Sequence, residues 1–566
     1  MCALGRRFGG VRLSSGLHSL ASVLVVLSVA ACGGGGGGLV TTTGTVSGLV
    51  TNLDNNSPVA GAAVSRSSGS PSTTTGSDGR YTLANVPSGQ QTLVASGSGL
   101  QSVQRTVSVP SQGTATLNFG LTKFPDPAII GPSNYQGGMA TVNIVGASAI
   151  YVATIAPKST DGGSYTLQAI GLSFMQTAPT TRVTPSAAVA TALTFHTKLR
   201  ELGQQLAMRA PRASAVPKAQ VQTVTVGSQG TFWVVVGGSL TNQQQTSATL
   251  QASSTHGLLY VDNADLASMS SAQAASVLQT WEAQIYSTDT SVFGLPQNTY
   301  NSNGQGQITI LITHLVQGPL SGGTIIGYFF PCDLYADGTC GNLHSNQADI
   351  IYLNANLNDA LLKGDMAHEF QHLINYSQHV FVFGSAAETT WIDEGLAMLA
   401  EDLVGYGYQA GSSSNTVGVA QAFLAAPSAI SLWNFSSTVA NYGAAWLLFR
   451  YLADRFGNQI AGRLVQTAQT GSTNLETQTG EASGQILSEE AMAILNTTFN
   501  LGLPSPYTYT SINAATLGTT PAFTSSGSAT LNSGGYRFYG FNSSLFPAAQ
   551  ISLQAGSAIP WAGAGH

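Results

Sequence analysis

Asp365-Met366-Ala367-His368-Glu369-Phe370-Gln371-His372-Leu373-Ile374-Asn375 sets His368 and His372 four residues apart in a segment with helical periodicity. On a helix that spacing projects both imidazoles from one face, while Met366, Phe370 and Leu373 can bury another side. Two histidines so placed can share one Zn²⁺, and a catalytic zinc takes three protein ligands and keeps a fourth position for water. Glu369 then lies beside the metal on the same turn, positioned to take a proton from water as it attacks a carbonyl. A metal-dependent hydrolase with one Zn²⁺ per chain is the expectation.

The third ligand has four candidates downstream: His379, Glu388, Asp393 and Glu394. A third histidine six residues after the second, with glycine three after it, would mark a metzincin. Here those places hold Gln378 and Asn375, and His379 comes one residue late. Glu394 lies in Trp391-Ile392-Asp393-Glu394-Gly395-Leu396-Ala397, which opens a predicted helix with Ile392, Leu396, Leu399 and Leu403 as its buried stripe. Glu394 and Glu401 share another face two turns apart. That spacing lets Glu394 ligate while Glu401 orients one of the histidines.

The motif pair His-Glu-x-Gln-His-Leu-Ile-Asn and Trp-x-x-Glu-Gly-Leu-Ala resembles the gluzincin metallopeptidases, most closely the hyicolysin type, over roughly residues 257–499. The resemblance implies a thermolysin-like fold, zinc held by His368, His372 and Glu394, and Glu369 as general base. It further implies that a residue at the start of a later helix donates to the oxyanion, and Tyr442 in Asn441-Tyr442-Gly443-Ala444-Ala445-Trp446 is the candidate. The Trp-x-x-Glu-Gly segment is also similar to that of membrane-alanyl-type aminopeptidases. Their gap between the second histidine and the glutamate is shorter, however, and no Gly-Ala-Met-Glu-Asn precedes this helix, which favours an endopeptidase acting on proteins or peptides.

Around this motif the chain reads as an α+β unit over 221–503. Strands are expected at 231–236, 257–262, 308–312 and 348–353, and Ser270-Ser271-Ala272-Gln273 is a capping box opening a helix. Cys332 and Cys340 flank an Asp-Gly turn and are predicted to close a small disulfide loop.

Upstream, Pro58-Val59-Ala60-Gly61-Ala62-Ala63-Val64, Asp78-Gly79-Arg80-Tyr81-Thr82-Leu83 and Val86-Pro87-Ser88-Gly89 read as short strands split by turns. They resemble a carboxypeptidase-regulatory-like domain over 44–122, which implies a β-sandwich without catalysis of its own. Residues 123–220 read as a mixed β and helical segment that could be a pro-segment. Its helix near 188–209 carries Leu193, Leu199, Leu202 and Leu206 as a stripe for docking on a neighbour. Residues 504–566 return to β runs and are expected to form a small terminal module. The fold class is therefore multidomain: N-terminal β-sandwich modules, an α+β zincin unit, and a C-terminal β module.

Arg6, Arg7 and Arg12 precede an apolar run that ends in Val29-Ala30-Ala31-Cys32 and six glycines. This resembles a bacterial lipoprotein signal peptide over 1–32, with Cys32 as the lipid-bearing residue and 33–43 as a tether. The apolar run is about half of the roughly 20 residues needed to span a bilayer. Gly33 in place of aspartate points, by the same resemblance, to the outer membrane or cell surface, or to release from it. Charged residues are 8% of the chain and the net charge is −6, which provides no basic field for nucleic acid. Two other functions share these features: a catalytically inactive adhesion or scaffold lipoprotein, and a zinc hydrolase of a non-peptide substrate. The intact Glu369 argues against the first.

Overall fold

The computed structural model describes residues 42–565 apart from 98–99, 123–126, 146–148, 156–162, 171, 175–186, 210–223, 297–305, 317–324, 436–437, 525–527, 532–533, 544–547 and 556–560. The predicted signal peptide, Cys32 and nearly all of the tether lie outside the described residues.

The N-terminal unit is two facing sheets. One is centred on Thr43–Asn52, paired with Ser57–Pro58, Arg80–Pro87, Thr114–Thr116 and Phe119–Leu121; the other runs Ser72–Thr74, Ala63–Arg66, Gly89–Gly97, Leu100–Val109. Period-two alternation sends Tyr81 and Leu83 inward to join Val46, Val50, Val64, Leu93 and Phe119 in a core of its own.

A second β unit is assembled from both ends of the remaining chain. Ala149–Ile155 pairs with Tyr536–Ser543 and with Trp561–Gly565, while Ala548–Ala555 lies between Met139–Val145 and Gly163–Ile170. The terminal β run is present, but its strands pair with those of 128–174. The boundaries 123–220 and 504–566 therefore separate strands that share two sheets. The physical reason is that a strand needs edge partners, and sequence periodicity does not say how distant in the chain they are. Val152, Leu167, Tyr539, Phe541, Ile551 and Leu553 fill the space between these sheets.

Between those strands the chain forms a six-stranded sheet in the order Gln229–Val235, Gln243–Ser253, Gly257–Asp262, Ile308–Ile312, Ile350–Leu353, Gly327–Phe329. Residues 257–262, 308–312 and 350–353 run parallel and are buried along their whole length, as strands covered on both faces must be. Gly327–Phe329 closes one edge antiparallel to 350–353. The helix Asp359–Tyr376 packs on these last two strands, and Thr390–Leu403 and Val439–Phe456 follow it into a helical layer. Ser270 and Gln273 form their capping box, and Cys332 and Cys340 are disulfide-bonded with Cα atoms 6.1 Å apart. The helix Ser483–Phe499 joins the helical layer to the second β unit, where Gly563 lies against Met492.

Candidate metal centre

The helix carrying the two histidines starts at Asn358, whose side chain accepts from the Leu361 amide at 3.0 Å. From Leu362 to Tyr376 every residue is buried, so this is a central helix and not the two-faced one its periodicity suggested. The Phe370 ring packs on Trp281, with centroids 4.7 Å apart, and this fixes the turn that carries Glu369. Thr390–Leu403 is likewise buried all round from Trp391 to Asp402. It lies unusually close to Val439–Phe456, since a Cβ on Gly395 would sit 2.2 Å from the Phe449 ring. That approach brings both helices to the site.

His368 Nε2 and His372 Nε2 each lie 3.4 Å from the same oxygen of Glu394, Oε2. A tetrahedral zinc with bonds of about 2.0–2.1 Å to N and O ligands has ligand-to-ligand edges of about 3.3–3.4 Å. His372 Nε2, Glu394 Oε2 and both oxygens of Glu369 are buried without a hydrogen-bond partner in the protein. Polar atoms so placed cost free energy unless something pairs with them. His368, His372 and Glu394 therefore fit a zinc ion in both donor chemistry and spacing, as a group of candidate ligands whose atoms converge.

The outer nitrogens of the rings are held by carboxylates. His368 Nδ1 lies 2.7 Å from Glu401 Oε1, and His372 Nδ1 lies 2.9 Å from Asp393 Oδ1. Such contacts fix the tautomer that leaves Nε2 free for a metal. Asp393 Oδ1 also accepts from Asn375 Nδ2 at 2.6 Å. Of the four candidate third ligands, the structure thus brings Glu394 to the histidines and puts Asp393 behind one of them. Glu388 is turned elsewhere, accepting from the Thr389 and Gly471 amides and from Asn474 Nδ2. His379 faces Glu388, 3.8 Å away, outside the convergent group.

Burial disfavours the charged form of Glu394, yet His372 and Arg200 more than offset it and hold its carboxyl well below the usual range. It is therefore ionised, as a ligand must be. Tyr442, at the start of the Val439–Phe456 helix, is buried next to Glu394, Arg200 and Glu369; burial and the two carboxylates drive its hydroxyl well above the ordinary tyrosine value. It stays protonated and can donate.

Arg200 is the residue that sequence reasoning missed. It lies on the helix Ala187–Arg209, and its Nε is 3.2 Å from Glu394 Oε1 and 3.3 Å from Asp393 Oδ2. Its Nη2 is 4.0 Å from Glu369 Oε2 and makes no hydrogen bond. The buried face of that helix is Phe195, Leu199, Arg200 and Leu206, with Leu202 only half-buried, and the side chain of Leu193 lies outside the described residues. A leucine stripe reveals which face docks. It does not reveal that an adjacent arginine docks with it.

Residues 45–122 match the model of the carboxypeptidase regulatory-like domain. The first sandwich is a carboxypeptidase regulatory-like domain. A stretch of 221 residues is 24% identical to the neutral metalloprotease ShpI of Staphylococcus hyicus, over 36% of this chain and 48% of that protein. The chain thus spans about half the length of the curated relative it matches. Among solved structures, it is similar to a type II cohesin–X-dockerin complex from Acetivibrio cellulolyticus, with 20% identity over 17% of this chain and 65% of that one and a TM-score of 0.13. It is also similar to the Bacillus anthracis TIE protein, with 15% identity over 21% and 22% and a TM-score of 0.13. At those scores neither structure informs the metal centre. Among the described residues no helix is long and apolar enough to cross a membrane.

Proposed function

We propose that the chain is a zinc-dependent endopeptidase of the gluzincin, hyicolysin-like type, with a thermolysin-like catalytic unit over 221–503. The observation that carries this reading is one glutamate oxygen, Glu394 Oε2, set 3.4 Å from both histidine Nε2 atoms with Glu369 on the turn between them. The distant likeness to a metalloprotease supports the same class.

His368, His372 and Glu394 would hold the zinc. Bound there, the ion would supply Lewis acidity, polarising the scissile carbonyl and lowering the pKa of water. Glu369 takes the proton from the water whose oxygen adds to the carbonyl carbon. As the C–N bond breaks, Glu369 returns that proton to the leaving amine. The Tyr442 hydroxyl donates to the oxygen that gains charge. Glu401 and Asp393 keep both rings oriented throughout.

The reading includes export and attachment of the chain to a membrane through a lipid on Cys32, with the two β units holding the catalytic unit away from the surface. Its support is the sequence of residues 1–38. Absence of radiolabelled palmitate in the protein from a Gram-negative host, or equal labelling of Cys32→Ala, would contradict it.

Casein incubated with zinc-loaded protein, with and without a chelator, tests the activity. Chelator-sensitive fragments are expected. Zinc-loaded protein with an accessible site that leaves casein intact would contradict the peptidase reading and leave a scaffold or a hydrolase of other bonds.

A further inference from the structure

An endopeptidase must admit a peptide chain to its general base, but Glu369, His372 and Glu394 are each no more than 1% exposed. Among the described residues, what crosses this face is the helix Ala187–Arg209. At one side Phe195 stands edge-on to Tyr328, ring centroids 5.5 Å apart, in the strand Gly327–Phe329. That strand ends the sheet order, and a free strand edge is where an extended peptide can pair. One turn on, Arg200 ion-pairs with Glu394 and Asp393 and points Nη2 at Glu369. At the next turn Gly203 packs on Tyr376 and Pro331, with the Tyr376 hydroxyl donating to the Gly203 carbonyl at 3.1 Å. The helix therefore runs from the edge strand across the general base to the C-terminal end of the helix that carries His368 and His372.

His196 lies on the same helix. Its Nδ1 is buried with no hydrogen-bond partner, one turn before Arg200.

We propose that the helix Ala187–Arg209 is an intramolecular inhibitor that occupies the substrate cleft, with Arg200 as the residue that anchors it to the metal-site carboxylates. Its consequence for activity rests on the peptidase reading, whereas the covering of the site does not. The helix can leave while its chain stays attached, because the upstream strands of 128–174 are held by pairing with 528–565. Closed and open forms are then two states of one molecule, and weakening the docked face shifts their populations.

The test compares the zinc-loaded full chain with Gly203→Trp and Arg200→Ala. A Cβ at Gly203 already meets the Tyr376 ring at 3.0 Å and Pro331 at 3.3 Å, so an indole there pushes the helix outward without removing any polar side chain of the centre. Two quantities are read: the rate at which 1,10-phenanthroline strips the zinc, and the rate of casein cleavage. In both variants stripping should be on the order of tenfold faster than in the parent, with casein cleavage rising alongside and the zinc affinity of Gly203→Trp unchanged. Gly203→Trp carries the test alone should Arg200→Ala, which unpairs two buried carboxylates, fail to fold. Equal stripping in Gly203→Trp and parent would overturn the proposal. So would faster stripping with slower cleavage, since the helix would then be a wall of the active site. Faster stripping with no cleavage by any form would uphold the cover and remove the peptidase reading instead.

Discussion

His368 Nδ1 and Glu401 Oε1 lie 2.7 Å apart across two helices, with both side chains buried. Glu401 stands seven residues beyond Glu394 on the same helix, so one element carries both a proposed ligand and the group proposed to orient another. Glu401→Ala should leave the fold intact and weaken zinc binding about 10–100-fold. Competition against a chromophoric chelator would measure this, and unchanged affinity would remove Glu401 from the site.

Asp393 differs from Glu401 because it also pairs with a buried arginine, Nε to Oδ2 at 3.3 Å. Asp393→Ala should weaken zinc binding and, by leaving part of the charge on Arg200 unpaired, destabilise the fold around it by about 3 kcal/mol. Urea unfolding of apo and zinc-loaded protein separates the two effects. A variant with parental stability in both forms would contradict the role given to the pair.

Glu369 contacts no ligand nitrogen, and its proposed task is proton transfer alone. Glu369→Gln should retain one zinc per chain while cleavage falls by a factor on the order of 10²–10⁴. Full proteolysis by the zinc-loaded variant would overturn the assignment.

Stability should also depend on pH through Glu490, in the helix Ser483–Phe499 that joins the helical layer to the second β unit. Burial pushes its carboxyl from the ordinary 4.5 to about 8, even though Tyr509 donates to it at 3.2 Å. Between these values the folded group keeps a proton that the unfolded group has lost. Unfolding free energy therefore falls as pH rises from 4.5 to about 8 and is flat beyond, by at most about 5 kcal/mol from this group. Glu490→Gln should flatten that part of the profile in denaturant titrations across the window. An unaltered slope would show that the carboxyl does not carry the proton.

The parts of this arrangement that sequence made legible are those with short-range signals. Four-residue spacing of His368 and His372, turn chemistry at Asp78-Gly79, and the Ser270 to Gln273 box each act within one turn of chain. The pairing of 128–174 with 528–565 spans hundreds of residues, and no local pattern encodes it. Arg200 was hidden for a related reason. A charged residue beside Leu199 reads as solvated unless carboxylates from another helix are known to face it, and those carboxylates come from residues almost two hundred positions later. Asp393 was visible as a candidate, but choosing between ligand and ring partner needed the rotation of the helix about its axis, which changes by about 100° with a one-residue offset.

Elemental mass spectrometry of the purified full chain, alongside His368→Ala and Glu394→Ala, tests the metal centre most directly. The account predicts about one zinc per parental chain and its loss from both variants. Parental protein without zinc, or a Glu394→Ala variant that keeps it at parental affinity, would contradict it.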